Sequence, residues 1–155
     1  MKIFLDSADV DAIAQRFATG LIDGVTTNPT LIRKSGKDPK EVYRQLRDTG
    51  ITDISMEVVG TVGEMFAEAQ ELYTEFRDVC TVKLPCTEDG LQVCQAISAQ
   101  GMRTNVTLIF SAAQAILAAK AGATYVSPFV GRYDDNSISG LELVRSITSI
   151  YNVQG

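Results

Sequence analysis

One lysine, Lys83, lies within a short apolar segment and is the residue best placed in this sequence to act as a nucleophile. The segment from Val79 to Pro85 is rich in β-branched residues and ends at a proline, which predicts a buried strand. Lysine is rarely buried unless it is paired or functional. Because burial disfavours the ammonium form, a lysine there could offer a free amine that attacks a carbonyl and forms a Schiff base. The alternative is a lysine whose charged end reaches solvent from a strand end.

Polar residues at the ends of the other predicted strands add groups that could do chemistry. Together with the lysine they are Asp6, Thr26, Thr27, Asn28, Glu57, Lys83, Asn105, Thr107 and Ser127. Each has a structural explanation when taken alone, such as a helix cap at Asp6 or an Asn-Pro turn at Asn28. Their occurrence on all the predicted strands favours one polar pocket. Glu57 interrupts an apolar run, where an unpaired carboxylate would be costly, so we expect Lys83 to be its partner.

The composition excludes several classes of protein. The sequence has no histidine, so a Ser-His-Asp or Cys-His mechanism and histidine-based metal sites are impossible. Cys80, Cys86 and Cys94 form no CxxC pair, and we expect reduced, mostly buried thiols in a cytoplasmic protein. A net charge of −5 argues against nucleic acids and acidic membranes as partners. No apolar run approaches the ~20 residues of a membrane span.

Strand-like and helix-like segments alternate along the sequence. The predicted strands cover residues 2–6, 22–26, 53–59, 79–85, 103–108 and 124–129. Helix starts are indicated by Asp38 before Pro39 and by capping boxes at Thr61–Glu64 and Ser111–Gln114. Because no linker or low-complexity tract interrupts the pattern, we expect one domain over residues 1–155.

Six β-α units predict parallel strands with right-handed crossovers. Two architectures have this pattern, an open doubly wound sheet and a (β/α)8 barrel of the TIM type. No GxGxxG turn follows the first strand, which weakens the dinucleotide-binding version of the open sheet. In a barrel, the polar strand ends would meet at the C-terminal mouth, where active sites of barrels lie. We therefore predict an α/β fold of the (β/α)8 TIM-barrel type with about six of its β-α units present.

Five motifs follow one another along the chain. They are FLD at Phe4–Asp6, GVTTNP at Gly24–Pro29, VKLP at Val82–Pro85, NVTLIFS at Asn105–Ser111 and YVSPFVGR at Tyr125–Arg132. Together they resemble the transaldolase family, and most closely its small bacterial-type transaldolases and fructose-6-phosphate aldolases. The resemblance implies class I aldolase chemistry in the pentose phosphate pathway, with sugar-phosphate substrates, no metal, no cofactor and assembly as a homo-oligomer.

The resemblance also implies roles for individual residues. Lys83 matches the Schiff-base lysine, and Asp6 matches the group that exchanges a proton with the hydroxyl of the cleaved bond. Glu57 and Thr107 match the pair that handles a catalytic water. The implied substrate-binding residues, the last of them for phosphate, are Thr26, Thr27, Asn28, Asn105, Ser127, Phe129 and Arg132.

Three positions separate the two subfamilies. By the resemblance, the aldolases carry Gln, Ala and Tyr at the positions of Glu57, Ser127 and Phe129 in this chain. All three residues here match the transaldolases. A phenylalanine has no hydroxyl that could supply a proton and release dihydroxyacetone. We therefore predict a transaldolase that transfers a dihydroxyacetone unit between sugar phosphates. The alternative within enzymes is a fructose-6-phosphate aldolase that releases free dihydroxyacetone.

The number of repeats differs from that of a complete barrel, which has eight β-α units. After six units, residues 151–155 resemble the approach to a seventh strand. A truncated chain, a naturally short protein and a barrel completed by a partner segment are the three explanations. An alternative of another class follows, namely an inactive truncated barrel that acts as an assembly module.

Overall fold

The computed structural model describes residues 2–135 and 139–154, with the side chains of residues 132–134 and 154 outside that description. Strands and helices alternate. The strands are β1 (Phe4–Asp6), β2 (Gly24–Thr26), β3 (Ile54–Glu57), β4 (Cys80–Pro85), β5 (Arg103–Ile109) and β6 (Tyr125–Pro128). The helices are α1 (Val10–Phe17), α2 (Pro29–Ser35), α3 (Pro39–Asp48), α4 (Val62–Phe76), α5 (Glu88–Ser98), α6 (Ala112–Lys120), α7 (Val130–Asp135) and α8 (Gly140–Gln154).

The strand order decides between the two predicted architectures. The six strands are parallel and follow one another in the sheet in the order β1-β2-β3-β4-β5-β6. A doubly wound sheet reverses its strand order at a switch point, whereas a barrel places each strand beside the one before it. The predicted α/β fold of the (β/α)8 type, with six β-α units, is therefore confirmed.

The chain divides into two compact units, the first formed by residues 1–58 and 67–82. Its strands pair in register, with Asp6 opposite Thr26 and Thr26 opposite Ser55. Completely buried apolar side chains such as Val25 and Ile54 form its core. The second unit consists of residues 59–66 and 83–155 and contains β5 and β6. The prediction of one domain over residues 1–155 stays a prediction.

The predicted helix caps are present. The Asp38 carboxylate accepts a hydrogen bond from the backbone N–H of Glu41 at 3.2 Å. The backbone N–H of Thr61 donates to the Glu64 carboxylate at 2.8 Å, and the N–H of Glu64 donates to the Thr61 hydroxyl at 3.4 Å. These bonds from Thr61 hold the pKa of the Glu64 carboxyl below its ordinary value. In the second box, the N–H of Gln114 donates to the Ser111 hydroxyl at 3.2 Å.

Two helices were not predicted from the sequence, α2 and α7. An Asn-Pro pair taken alone predicts a turn, but Asn28 is the N-cap of α2 and Pro29 is its first residue. Gly36 ends this helix with a left-handed backbone at φ 71°. A capping Asn, a Pro at the first helical position and a Gly two turns later are a recognisable helix signal. The strands begin up to two residues later than predicted, and the cysteines are free, with Cys86 half-buried and the other two buried.

Candidate active site

Lys83 lies in β4 and is almost completely buried, with 6% of its surface exposed. Its neighbours Val82 and Leu84 have no exposed surface, so the strand is covered on both faces. Directly after the strand, the backbone N–H of Cys86 donates to the carbonyl oxygen of Thr107 at 2.9 Å. The prediction of a buried strand that carries a lysine is therefore confirmed, and a solvent-reaching side chain does not fit this burial.

Asp6 and Thr26 are brought together at the ends of β1 and β2 in the first unit. The two residues are register partners, and the Thr26 hydroxyl donates to the Asp6 carboxylate at 2.8 Å. Asp6 itself is exposed. A carboxylate that keeps one oxygen in a hydrogen bond is held in one orientation, while its remaining lone pairs can accept a proton from a ligand hydroxyl.

Thr27 is buried, and its contacts point to a structural as well as a binding role. Its hydroxyl donates to the carbonyl oxygen of Ser55 at 3.1 Å and lies 3.4 Å from the hydroxyl of Tyr43 on α3. Sequence reasoning missed Tyr43. Its position next to Val42 on an amphipathic helix predicts a core residue, but nothing in that pattern gives the partner of its hydroxyl.

Burial is the main reason why the pKa of Tyr43 is raised to about 12. The hydrogen bond with Thr27 acts in the opposite direction, and the negative charges of Glu68 and Glu57 add to the rise. Tyr43 is therefore a neutral hydroxyl at physiological pH. The effect of Glu57 on this pKa indicates that the carboxylate at the end of β3 is close enough to be felt at the Tyr43 ring.

Asn28 uses its side-chain oxygen to begin α2. This oxygen accepts a hydrogen bond from the backbone N–H of Leu31 at 3.0 Å. In the part of the chain that the structure describes, the Asn28 amide nitrogen has no hydrogen-bond partner. The residue is half-buried at the end of β2, so this nitrogen can donate to a ligand.

In the second unit, Asn105 and Ser127 meet across β5 and β6. The Ser127 hydroxyl donates to the side-chain oxygen of Asn105 at 2.8 Å, and Asn105 is 3% exposed. The bond assigns the orientation of the amide, because its oxygen faces the serine and its NH₂ faces away. The two residues predicted to bind the same part of the substrate are therefore in direct contact.

The hydroxyl of Thr107 is the one buried side-chain polar atom without a hydrogen-bond partner among residues 2–135 and 139–154. The residue is 1% exposed and lies in β5. A buried hydroxyl left unpaired costs about 1–3 kcal/mol, so such a group indicates a place for a water or a ligand. This observation agrees with the water-handling role that the resemblance implies for Thr107.

Phe129 follows β6, and its ring packs against that of Phe110 with centroids 5.2 Å apart and planes at 61°. Arg132, the implied phosphate-binding residue, falls within α7, and its side chain lies outside the described residues. Among the described residues, no group of three or more Cys, Asp or Glu side chains could hold a metal ion. The partnership expected between Glu57 and Lys83, and the roles assigned to all these residues, stay predictions.

Comparison with known proteins gives the family. The sequence profile described as Transaldolase/Fructose-6-phosphate aldolase matches residues 3–155, and the chain belongs to this family of enzymes. A probable transaldolase of Erythrobacter litoralis is 54% identical over 155 residues, which cover 98% of this chain and 70% of that protein. A probable transaldolase of Caulobacter sp. (strain K31) is 53% identical over 156 residues, or 100% of this chain and 71% of that protein.

A solved structure supports the fold alone. The carboxyl transferase domain of Rhizobium etli pyruvate carboxylase, solved with pyruvate, has a TM-score of 0.54 at 16% identity. The match covers 81% of this chain and 26% of that one. Within the described ranges, none of the helices is long and apolar enough to span a bilayer. The predicted homo-oligomer and the cytoplasmic location stay predictions.

Proposed function

We propose that the chain is a transaldolase that transfers a dihydroxyacetone unit between sugar phosphates through a Schiff base on Lys83. The observation that carries this proposal is the burial of Lys83 in β4 of a chain that belongs to the transaldolase/fructose-6-phosphate aldolase family. A buried amine has few alternatives to pairing or reacting, and an amine that attacks a ketone needs no metal to do so.

The reaction begins with attack of the Lys83 nitrogen on the ketone carbon of a donor such as fructose 6-phosphate. The carbinolamine formed loses water and becomes an iminium ion. Asp6 then takes the proton of the hydroxyl on the carbon that becomes the aldehyde. The bond between this carbon and the dihydroxyacetone unit breaks, and its electron pair moves into the iminium. An aldose phosphate leaves, and the dihydroxyacetone unit stays on Lys83 as an enamine.

The second half of the cycle reverses these steps with a different aldehyde. The enamine carbon attacks the acceptor carbonyl, Asp6 returns the proton to the new hydroxyl, and water hydrolyses the iminium to free Lys83. Glu57 and Thr107 handle this water in the proposal. The unpaired, buried hydroxyl of Thr107 supports that role, because it can form the hydrogen bond that positions a water without losing another partner.

The proposed substrate contacts use side chains that can form hydrogen bonds. The amide nitrogen of Asn28 takes no part in the bond that begins α2 and can donate to a hydroxyl or carbonyl oxygen of a ketose. Asn105, which accepts a hydrogen bond from Ser127, belongs to the proposed binding set as well. Thr26, Thr27, Ser127 and Phe129 complete this binding set. Arg132 binds the phosphate in the proposal, because a guanidinium matches phosphate oxygens in a bidentate geometry.

Borohydride trapping tests the proposal directly. Incubation with fructose 6-phosphate and borohydride should reduce the iminium and leave a covalent adduct, detected as an increase in intact mass and mapped to Lys83 by peptide analysis. Lys83→Met should form no adduct and show no transfer. Lys34→Ala, which removes an exposed lysine, is the matched control and should form the wild-type amount. Absence of an adduct in the wild-type protein, or an adduct on a lysine other than Lys83, would contradict the mechanism.

Product analysis distinguishes transfer from aldol cleavage. A transaldolase should pass the three-carbon unit to erythrose 4-phosphate with little free dihydroxyacetone, because Phe129 offers no proton to the enamine. If free dihydroxyacetone is the main product in the presence of the acceptor, the chain is instead a fructose-6-phosphate aldolase.

A further inference from the structure

β5 contains a β-bulge directly beside the candidate catalytic residues. Val106 is opposite Val126, but Ile109 is opposite Pro128. Thr107 and Leu108 together therefore face a single residue, Ser127, on β6. Leu108 has a left-handed backbone with φ 60°, and it is the one described residue other than glycine with a positive φ. Residues other than glycine rarely adopt this conformation because of its steric cost, and bulges occur often next to active sites.

The extra residue changes which side chains meet beyond the bulge. If the pairing of Val106 with Val126 continued without interruption, Phe110 would come opposite Val130. After the bulge Ile109 pairs with Pro128, and the same register carried one residue further brings Phe110 opposite Phe129. The backbone N–H of Phe129 donates to the carbonyl oxygen of Ile109 at 2.9 Å, which fixes this register. The edge-to-face contact of the two rings is thus a consequence of the bulge.

Phe129 also lines a cavity of ≈ 430 Å³ together with Pro128, Val130, Gly131 and Asp135. In the described part of the chain, its aromatic neighbour is Phe110, which is 38% exposed. A half-buried ring beside a cavity has room to change its orientation. The contact with the ring of Phe110 limits the orientations that the ring of Phe129 can adopt.

We propose that Phe110 is a positioning residue that decides between transfer and release by holding the ring of Phe129 in place. This inference rests on the proposed function, in which Phe129 borders the enamine on Lys83. The enamine carbon has two fates. It can form a carbon–carbon bond with an acceptor aldehyde, or it can accept a proton from water and give an iminium that hydrolyses to free dihydroxyacetone and the Lys83 amine. A fixed apolar ring cannot donate a proton and keeps water from the carbon.

The test measures the ratio of free dihydroxyacetone to transfer product at a saturating concentration of erythrose 4-phosphate. Loss of an edge-to-face aromatic contact changes an equilibrium between two ring orientations by about 2- to 12-fold. Phe110→Ala should therefore raise the ratio by about that factor. Phe110→Tyr keeps the aromatic ring and should therefore have the wild-type ratio. Ile116→Ala, which truncates an apolar side chain of similar exposure on α6, is the control for a loss of stability alone and should leave the ratio unchanged.

The outcomes separate this inference from the proposed function. If Phe110→Ala forms the Lys83 adduct but keeps the wild-type ratio, the role of Phe110 is refuted and the transaldolase mechanism stands. If the wild-type protein forms no adduct, both fail.

A second measurement does not depend on turnover. In protein labelled with 4-fluorophenylalanine, the ¹⁹F resonance of Phe129, assigned with Phe129→Leu, should move in Phe110→Leu because the neighbouring ring is lost. An unchanged resonance would overturn the inference even where Phe110→Ala folds poorly.

Discussion

Tyr43→Phe should remove one specific contribution to the loss of stability at alkaline pH. In the folded protein the pKa of Tyr43 is raised to about 12 from its ordinary value of 10.0, mainly because the residue is buried with 4% of its surface exposed. Between these two values the unfolded chain has lost the phenolic proton while the folded chain retains it. The unfolded state then binds fewer protons, so the free energy of unfolding falls as the pH rises. The stabilisation is complete below pH 10 and is lost as the pH approaches 12.

The size of the effect follows from the shift. Each pH unit in this window is worth about 1.4 kcal/mol, so wild-type stability should fall by about 1.4 kcal/mol at pH 11 and by about 2.7 kcal/mol at the limit, through this group alone. Tyr43→Phe lacks the titrating group and should not show this part of the loss. At pH 7 the variant should be less stable by about 1 kcal/mol, since the hydroxyl contact with Thr27 is gone.

Urea unfolding of both proteins at pH 7, 9, 10 and 11 measures this difference. Other groups titrate in both proteins and cancel when the two free energies are subtracted. Phe76→Leu is a suitable control, because Phe76 packs edge-to-face on Tyr43 with ring centroids 6.0 Å apart and its loss leaves the hydroxyl in place. That variant should be destabilised by a similar amount at every pH. Parallel curves for the wild type and Tyr43→Phe up to pH 11 would refute the assignment.

Two further predictions concern Gly90 on α5 and Thr107 in β5. A Cβ at Gly90 would overlap the carbonyl oxygen of Pro85, the last residue of β4, so Gly90→Ala should lower the free energy of unfolding by about 1–3 kcal/mol. Gly63→Ala, in open space on α4, should be neutral or stabilising by up to about 1 kcal/mol. Thermal unfolding of both variants checks this, and equal effects would contradict it. Thr107→Val replaces an unpaired buried hydroxyl by a methyl group, so the free energy of unfolding should be unchanged or rise. The rate of transfer should fall by about 100-fold or more, because the hydroxyl that positions the water is lost. A destabilised variant with a normal transfer rate would contradict both expectations.

The features that were predictable from the sequence are those set by local patterns. The β4 strand around Lys83 and the capping box at Thr61–Glu64 depend on residues within a few positions of one another, and both are present. The strand order also followed from the regular alternation of strands and helices. Pairs such as Asp6 with Thr26 required only the assumption that the strands are parallel neighbours.

The features that were missed depend on contacts between distant segments or on a single backbone angle. The hydroxyl of Tyr43 on α3 contacts the hydroxyl of Thr27, which directly follows β2, and no rule of residue spacing specifies that contact. The bulge at Leu108 depends on a positive φ in a residue type that rarely adopts it, so NVTLIFS predicts an ordinary strand. The short helix α2 differs from these, because its signal at Asn28 and Pro29 is local, but an Asn-Pro pair is also typical of a turn.

The hydrogen bond of Asn28 has a consequence for inhibitors. Its side-chain oxygen already accepts the backbone N–H of Leu31 at the start of α2, and its amide nitrogen has no hydrogen-bond partner among the described residues. The amide therefore offers N–H groups to a ligand, so a compound whose carbonyl, phosphonate or ether oxygen faces them gains a hydrogen bond. An amino-sugar with an ammonium group at the same place would set donor against donor and should bind more weakly, although its carbon skeleton is the same.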